Sequence, residues 1–133
     1  MQVNGIDHVN VLTDDLEATA TFYEQVLDLI RSENPSIRAG TAGYWMRDAA
    51  GAPIIHLVDR TTAPGRYDDH VPGESTNGLH HVALRCTGFD AMRARLDARG
   101  IPYRFNDLPH IGLRQLFLAD PNAVNLELNF NGD

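Results

Sequence analysis

The chain repeats itself. Ile6-Asp7-His8-Val9-Asn10-Val11 in the first half has a counterpart in Leu79-His80-His81-Val82-Ala83-Leu84, and Ile54-Ile55-His56-Leu57-Val58 has one in Asn125-Leu126-Glu127-Leu128-Asn129. From residue 8 to residue 81 the offset is 73 positions, and from residue 56 to residue 127 it is 71. So constant an offset marks one supersecondary unit used twice. Each copy carries a polar side chain with metal-ligating chemistry on its first and its last strand. Two such units facing each other would bring His8, His56, His81 and Glu127 to one point, so a metal site is the first function the repeat suggests.

Strand and helix signals alternate in the same order in both halves. Ile6 to Thr13 is apolar and β-branched, as a buried strand requires. Thr13-Asp14-Asp15-Leu16-Glu17 supplies a cap and a first-turn carboxylate, and Leu16, Ala20, Tyr23, Val26 and Leu27 recur at helical spacing, which predicts a helix over 15–29. Short strands follow near 29–34, 43–48 and 53–59. The second half predicts a strand over 79–87, a helix over 89–99 stopped by Gly100, and strands near 103–107, 113–119 and 124–130. The expected organisation is one domain over residues 1–133, with a first module at about 1–60, a polar linker at 61–77 and a second module at about 78–133. Each module reads βαβββ, an α+β design.

At 133 residues with 43% hydrophobic and 22% charged side chains, the chain can bury a sizeable core. A net charge of −7 provides no basic excess to displace counterions from a nucleic acid. Cys86 is the only cysteine, so no intrachain disulfide is expected and the thiol reads as inert core. No apolar run reaches membrane-spanning length, and the N-terminal residues lack a signal-peptide pattern. A cytoplasmic protein without membrane or nucleic-acid partners is the expectation.

Strand alternation groups the side chains around each candidate ligand. Asn10 and Leu12 share a face with His8, Ala83 and Arg85 with His81, and Asn125 and Asn129 with Glu127. His80 is expected on the face opposite His81, as a non-ligand. A single histidine on a strand is more often a hydrogen-bonded core or surface group than a ligand. Glu127, between Leu126 and Leu128, is costly to bury unless it is paired or metal-bound. Three imidazoles and one carboxylate suit Zn, Ni, Co, Mn or Fe(II). Asn10, Tyr44, Arg85 and Gln115 are the candidate substrate contacts: Gln115 matches Tyr44 by the 71-residue offset, and only one of Arg114 and Gln115 can face the cavity.

Asp7-His8-Val9, Phe22-Tyr23 with Val26-Leu27, Ile55-His56-Leu57, Leu79-His80-His81-Val82-Ala83-Leu84, Arg114-Gln115-Leu116-Phe117 before Asp120-Pro121, and Asn125-Leu126-Glu127-Leu128-Asn129-Phe130 occur in that order over nearly the whole chain. In this order they resemble the vicinal oxygen chelate superfamily, which groups glyoxalases, bleomycin resistance proteins and extradiol dioxygenases. The resemblance implies two βαβββ modules forming a partly open barrel around a divalent metal, with His8, His56, His81 and Glu127 as ligands. It also implies that Glu127 doubles as a catalytic base, and that His56 replaces what is often a second carboxylate while keeping a proton acceptor. A homodimer is the implied assembly. Where the family often has glycine, this chain has Asp28 after the first helix and Ala123 in the final turn.

What the resemblance implies for function is a metal-dependent lyase or isomerase of glyoxalase type, acting on a small substrate whose vicinal oxygens chelate the ion. Two alternatives stand beside it. An Fe(II) extradiol-type dioxygenase would use the His8, His81 and Glu127 triad. A metal-free drug-binding resistance protein would gain nothing from keeping four ligand positions. Leu12 stands where glyoxalase I often carries an arginine for glutathione, so the expected substrate is one other than lactoylglutathione.

Overall fold

Each half of the chain builds an open four-stranded mixed sheet with one helix, βαβββ in chain order. The structure is a computed structural model of the 133-residue chain, and it describes residues 1–35 and 39–132. The chain divides into two units, Met1–Pro72 and Gly73–Asp133, and the division lies inside the polar stretch 61–77. Among the described residues no helix is long and apolar enough to cross a membrane.

In the first unit β1 (Val9–Thr13), α1 (Leu16–Leu27), β2 (Ile30–Glu33), β3 (Gly43–Arg47) and β4 (Pro53–Asp59) form a sheet of order β1-β4-β3-β2. Only β1 and β4 run parallel. The helix starts where Asp15 accepts a hydrogen bond from the Ala18 backbone N–H at 3.0 Å. Leu16, Thr19, Ala20, Tyr23 and Val26 recur at helical spacing and are all buried. Against them the sheet buries Val11, Thr13, Met46, Ile55 and Leu57. A hydrogen bond of 2.9 Å between the buried hydroxyls of Thr13 and Thr19 ties the end of β1 to the helix. Strand alternation then leaves Asn10, Trp45 and His56 to the other face.

The second unit repeats this with β5 (Val82–Cys86), α2 (Phe89–Ala98), β6 (Arg104–Leu108), β7 (Leu113–Ala119) and β8 (Asn125–Asn131), in the order β5-β8-β7-β6. Phe89, Leu96, Leu116, Leu118, Leu126, Leu128 and Phe130 form its core. Phe89 meets Phe130 edge-on, with ring centroids 5.4 Å apart. Both first strands start later than their composition predicts, at Val9 rather than Ile6 and at Val82 rather than Leu79. His8 and His81 therefore each stand one position before a strand.

Asp28 and Ala123 both adopt left-handed backbone, with φ of 55° and 62°. These are the two positions where the sequence departs from an expected glycine. Ala123 sits in a tight turn that Asp120 organises by accepting the N–H groups of Asn122 and Val124 at 2.8 and 2.9 Å. An L side chain pays for this conformation, and glycine adopts it freely. Ala123→Gly is expected to stabilise the protein by about 1 kcal/mol, a rise of a few degrees in Tm. Thermal denaturation of the two forms checks this; an unchanged or lower midpoint would mean that Ala123 is not strained.

Candidate metal centre

In the first unit the residues on the sheet face opposite the helix gather around His56. β4 sets His56 opposite Asn10 of β1 and Trp45 of β3. Trp45 lies 4.8 Å from both the His8 and the His56 ring, edge-on to His8 and tilted by 33° to His56, and the two imidazoles are 6.1 Å apart between centroids. The Nδ1 of His8 meets an Asp7 carboxylate oxygen at 2.5 Å. That contact orients the ring and directs Nε2 away from the carboxylate, as carboxylate–histidine pairs do at metal sites. Both nitrogens of His56 meet asparagine amides: Asn10 is 3.0 Å from Nδ1, and the buried Asn34 is 2.7 Å from Nε2. A neutral imidazole has one N–H and one lone pair, so one amide accepts and the other donates. Burial above all, with His8 and Arg66 nearby, holds the His56 imidazole below the ordinary histidine range and keeps it neutral.

Tyr44 does not join this group. Its hydroxyl donates to Glu17 at 2.7 Å and the Arg31 guanidinium lies 4.8 Å from its ring, both on the helix side of the sheet. Arg31 also bridges Glu17 and Glu24 at 2.6 and 2.8 Å. Tyr44 thus serves the packing of α1 on β2 and β3.

In the second unit His81 Nε2 lies 3.3 Å from Glu127 Oε2. Glu127 is largely enclosed, its side chain 14% exposed, and its other oxygen accepts from Gln115 and Asn129, each at 2.9 Å. Gln115 is therefore the member of the Arg114–Gln115 pair that shares the Glu127 face. Arg114 turns to the helix side, 4.1 Å from the Phe89 ring and 3.6 Å from Asp90. Arg85 is exposed on the Glu127 face, in register with Asn129. His80 is not separated from His81 as alternation predicts: their Nδ1 atoms are 3.0 Å apart. The two histidines precede β5, and alternation holds only within the paired strand. That contact leaves the Nε2 of His81 directed to Glu127. Burial pushes the Cys86 thiol up to about 11, so it stays protonated and inert.

Each unit thus brings two of the four candidate ligands together, and among the described residues no group of three or more His, Cys, Asp or Glu side chains gathers closely enough to hold an ion. Within the second unit the His81–Glu127 pair nonetheless has the spacing of two ligands of a divalent metal. Two donor atoms bonded at about 2.1 Å to a tetrahedral ion are roughly 3.4 Å apart. The 3.3 Å between His81 Nε2 and Glu127 Oε2 matches that edge. It is long for a charge-assisted hydrogen bond, which closes to about 2.7–2.9 Å. His8, His81 and Glu127 each have one atom held by a neighbour and a second directed elsewhere. His56, held on both nitrogens, is built differently.

Sequence reasoning passed over Asn34 and did not count Trp45, a strand aromatic that could line a pocket or simply pack, among the site residues. Trp45 is legible once the β3–β4 register is known, whereas Asn34 lies beyond the end of β2 and carries no sequence signal.

Known proteins resemble the whole chain. An uncharacterized Bacillus subtilis protein, YwbC, is 26% identical over 130 residues, covering 92% of this chain and 94% of its own. Among solved structures, a fosfomycin resistance protein, FosX, from Listeria monocytogenes, complexed with Mn(II) and a dihydroxypropylphosphonic acid, superimposes with a TM-score of 0.70 at 14% identity, covering 98% of this chain and 94% of that one. A lactoylglutathione lyase from Agrobacterium tumefaciens gives 0.67 at 19% identity, with 97% and 95% covered. At such identities the structures share the fold. The sequence pattern of the Glyoxalase/Bleomycin resistance protein/Dioxygenase superfamily matches residues 5–128, and the chain belongs to that superfamily.

Proposed function

We propose that the protein is a divalent-metal-dependent enzyme of the glyoxalase kind, a lyase or isomerase acting on a small substrate with two adjacent oxygens. As the superfamily resemblance implies, His8, His81 and Glu127 would hold the ion, and His56 would handle the proton. The observation that carries this reading is the 3.3 Å His81–Glu127 separation with Glu127 fixed from behind by two amides. A divalent ion in this donor set supplies Lewis acidity to a carbonyl or hydroxyl oxygen.

Proton transfer falls to His56 because its imidazole is neutral and half-buried beside Trp45. Its Nε2 is tied to buried Asn34, whereas Asn10 on Nδ1 is exposed and is the partner a substrate can displace. The freed nitrogen takes a proton from the carbon beside the carbonyl and returns it to the neighbouring carbon. Two solved relatives carry the same theme in their names, a lactoylglutathione lyase and a FosX bound to Mn(II) and a dihydroxy acid.

The test is a screen of metal-stripped protein reloaded in turn with Mn(II), Zn(II), Ni(II), Co(II) and Fe(II). The expected result is oxygen-independent isomerisation of a small-thiol adduct of an α-ketoaldehyde, present only in reloaded samples. Oxygen uptake with a catechol in the Fe(II) sample would replace this reading with a dioxygenase. Ligand binding without any ion, and no turnover in any sample, would replace it with a sequestering protein.

A further inference from the structure

We infer that Gln115 and Asn129 are positioning residues that make Glu127 a one-oxygen ligand. The inference rests on the proposal that Glu127 ligates an ion, and it assigns what the rest of that carboxylate does. Oε1 of Glu127 accepts two amide N–H bonds at 2.9 Å, from Gln115 and from Asn129. These fill the two lone-pair directions in the carboxylate plane. Only Oε2 is left, and it points to His81 Nε2.

The clamp is itself fixed. The second N–H of Gln115 donates to Asn129 Oδ1 at 2.9 Å, and Gln115 Oε1 accepts from Asn106 at 3.2 Å. A carboxylate only accepts, so both amides must turn their nitrogens toward it, and the Gln115–Asn129 bond follows from that choice. A row of amides therefore runs from edge strand β6 across β7 to β8, held in register by the Asn106–Gln115 and Gln115–Asn129 strand pairs. Both N–H groups of Gln115 are committed, which makes it a support for Glu127 rather than a substrate contact.

Two consequences for chemistry follow. With Oε1 saturated by amides, Glu127 has only Oε2 to offer, so an ion and a proton would compete for the same atom. The carboxylate also cannot swing to two-oxygen coordination, because that would strip two hydrogen bonds from a largely enclosed atom at once. Outer contacts of this kind govern how a ligand presents itself to a metal.

Mn(II) is the probe. Its affinity, read by electron paramagnetic resonance, is expected to fall about 10- to 100-fold in Gln115→Leu and in Asn129→Leu, with apo circular dichroism unchanged. The Mn(II)-minus-apo infrared difference spectrum, compared with that of Glu127→Gln, is expected to show the wide carboxylate splitting of one-oxygen binding, narrowing in the double variant as Oε1 turns to the ion. Asn106→Leu, at an exposed edge position where folding is not at stake, is expected to weaken Mn(II) a few-fold and serves if the other two variants misfold. Wild-type affinity in all three variants, or a narrow splitting in the wild type, would overturn the inference while leaving the metal reading intact. No Mn(II) binding to the wild type would overturn both.

Discussion

Replacing His81 by alanine is expected to weaken Mn(II) binding by more than about a hundredfold, because loss of a ligand should exceed the 10- to 100-fold cost of removing an outer-shell contact. Turnover of the α-ketoaldehyde adduct should fall with it. His81 Nε2 is one end of the 3.3 Å edge shared with Glu127 Oε2, and its loss leaves that carboxylate oxygen without its histidine partner. His8→Ala should behave alike, since Asp7 holds its Nδ1 and so aims its Nε2. His56→Ala should differ in kind: with both its nitrogens on asparagines, its removal should leave Mn(II) affinity within a few-fold while abolishing kcat. Titration calorimetry on the three variants separates the roles. Wild-type Mn(II) affinity in His81→Ala would refute the donor set, and loss of Mn(II) in His56→Ala would make that residue a fourth ligand.

How much of this could be read from the chain depended on register. The offset between His56 and Glu127 correctly paired the last strands, because both are long, apolar and alternate cleanly. The same offset failed one strand earlier. A register irregularity between Met46 and Arg47 inserts one residue into the β3–β4 pairing. Eleven positions therefore separate Trp45 from its partner His56, whereas ten separate Phe117 from its partner Glu127. Gln115 thus corresponds to Gly43, and Trp45 rather than Tyr44 lies on the His56 face. A one-residue slip moves every side chain of a strand to the other face, and a bulge of this kind leaves no mark in composition. Asn34 was hidden for a second reason. Asn129 shares the Glu127 face by simple alternation, but Asn34 reaches His56 from beyond the end of a strand, where no period applies.

The alternation that hides some partners also separates stability from chemistry along β8. Leu126, Leu128 and Phe130 are each at most 1% exposed, whereas Glu127 and Asn129 between them face the amide row. Leu128→Ala should therefore cost about 2–5 kcal/mol, since it removes a branched side chain packed across from buried Leu116. Against a total stability of roughly 5–15 kcal/mol for a typical domain, that lowers Tm by on the order of 10 °C. Glu127→Gln, one position away, keeps an oxygen for Gln115 and Asn129 to donate to, so the apo protein should lose no more than about 1 kcal/mol. Saturating Mn(II) reverses the comparison. It should raise the Tm of Leu128→Ala by mass action, because the folded fraction still binds, and leave Glu127→Gln nearly unmoved. Thermal melts of both variants with and without Mn(II) test the pair. Equal apo destabilisation would mean that Glu127 is part of the folding core, and a Mn(II)-dependent rise in Glu127→Gln equal to that of the wild type would remove its carboxylate from the ion.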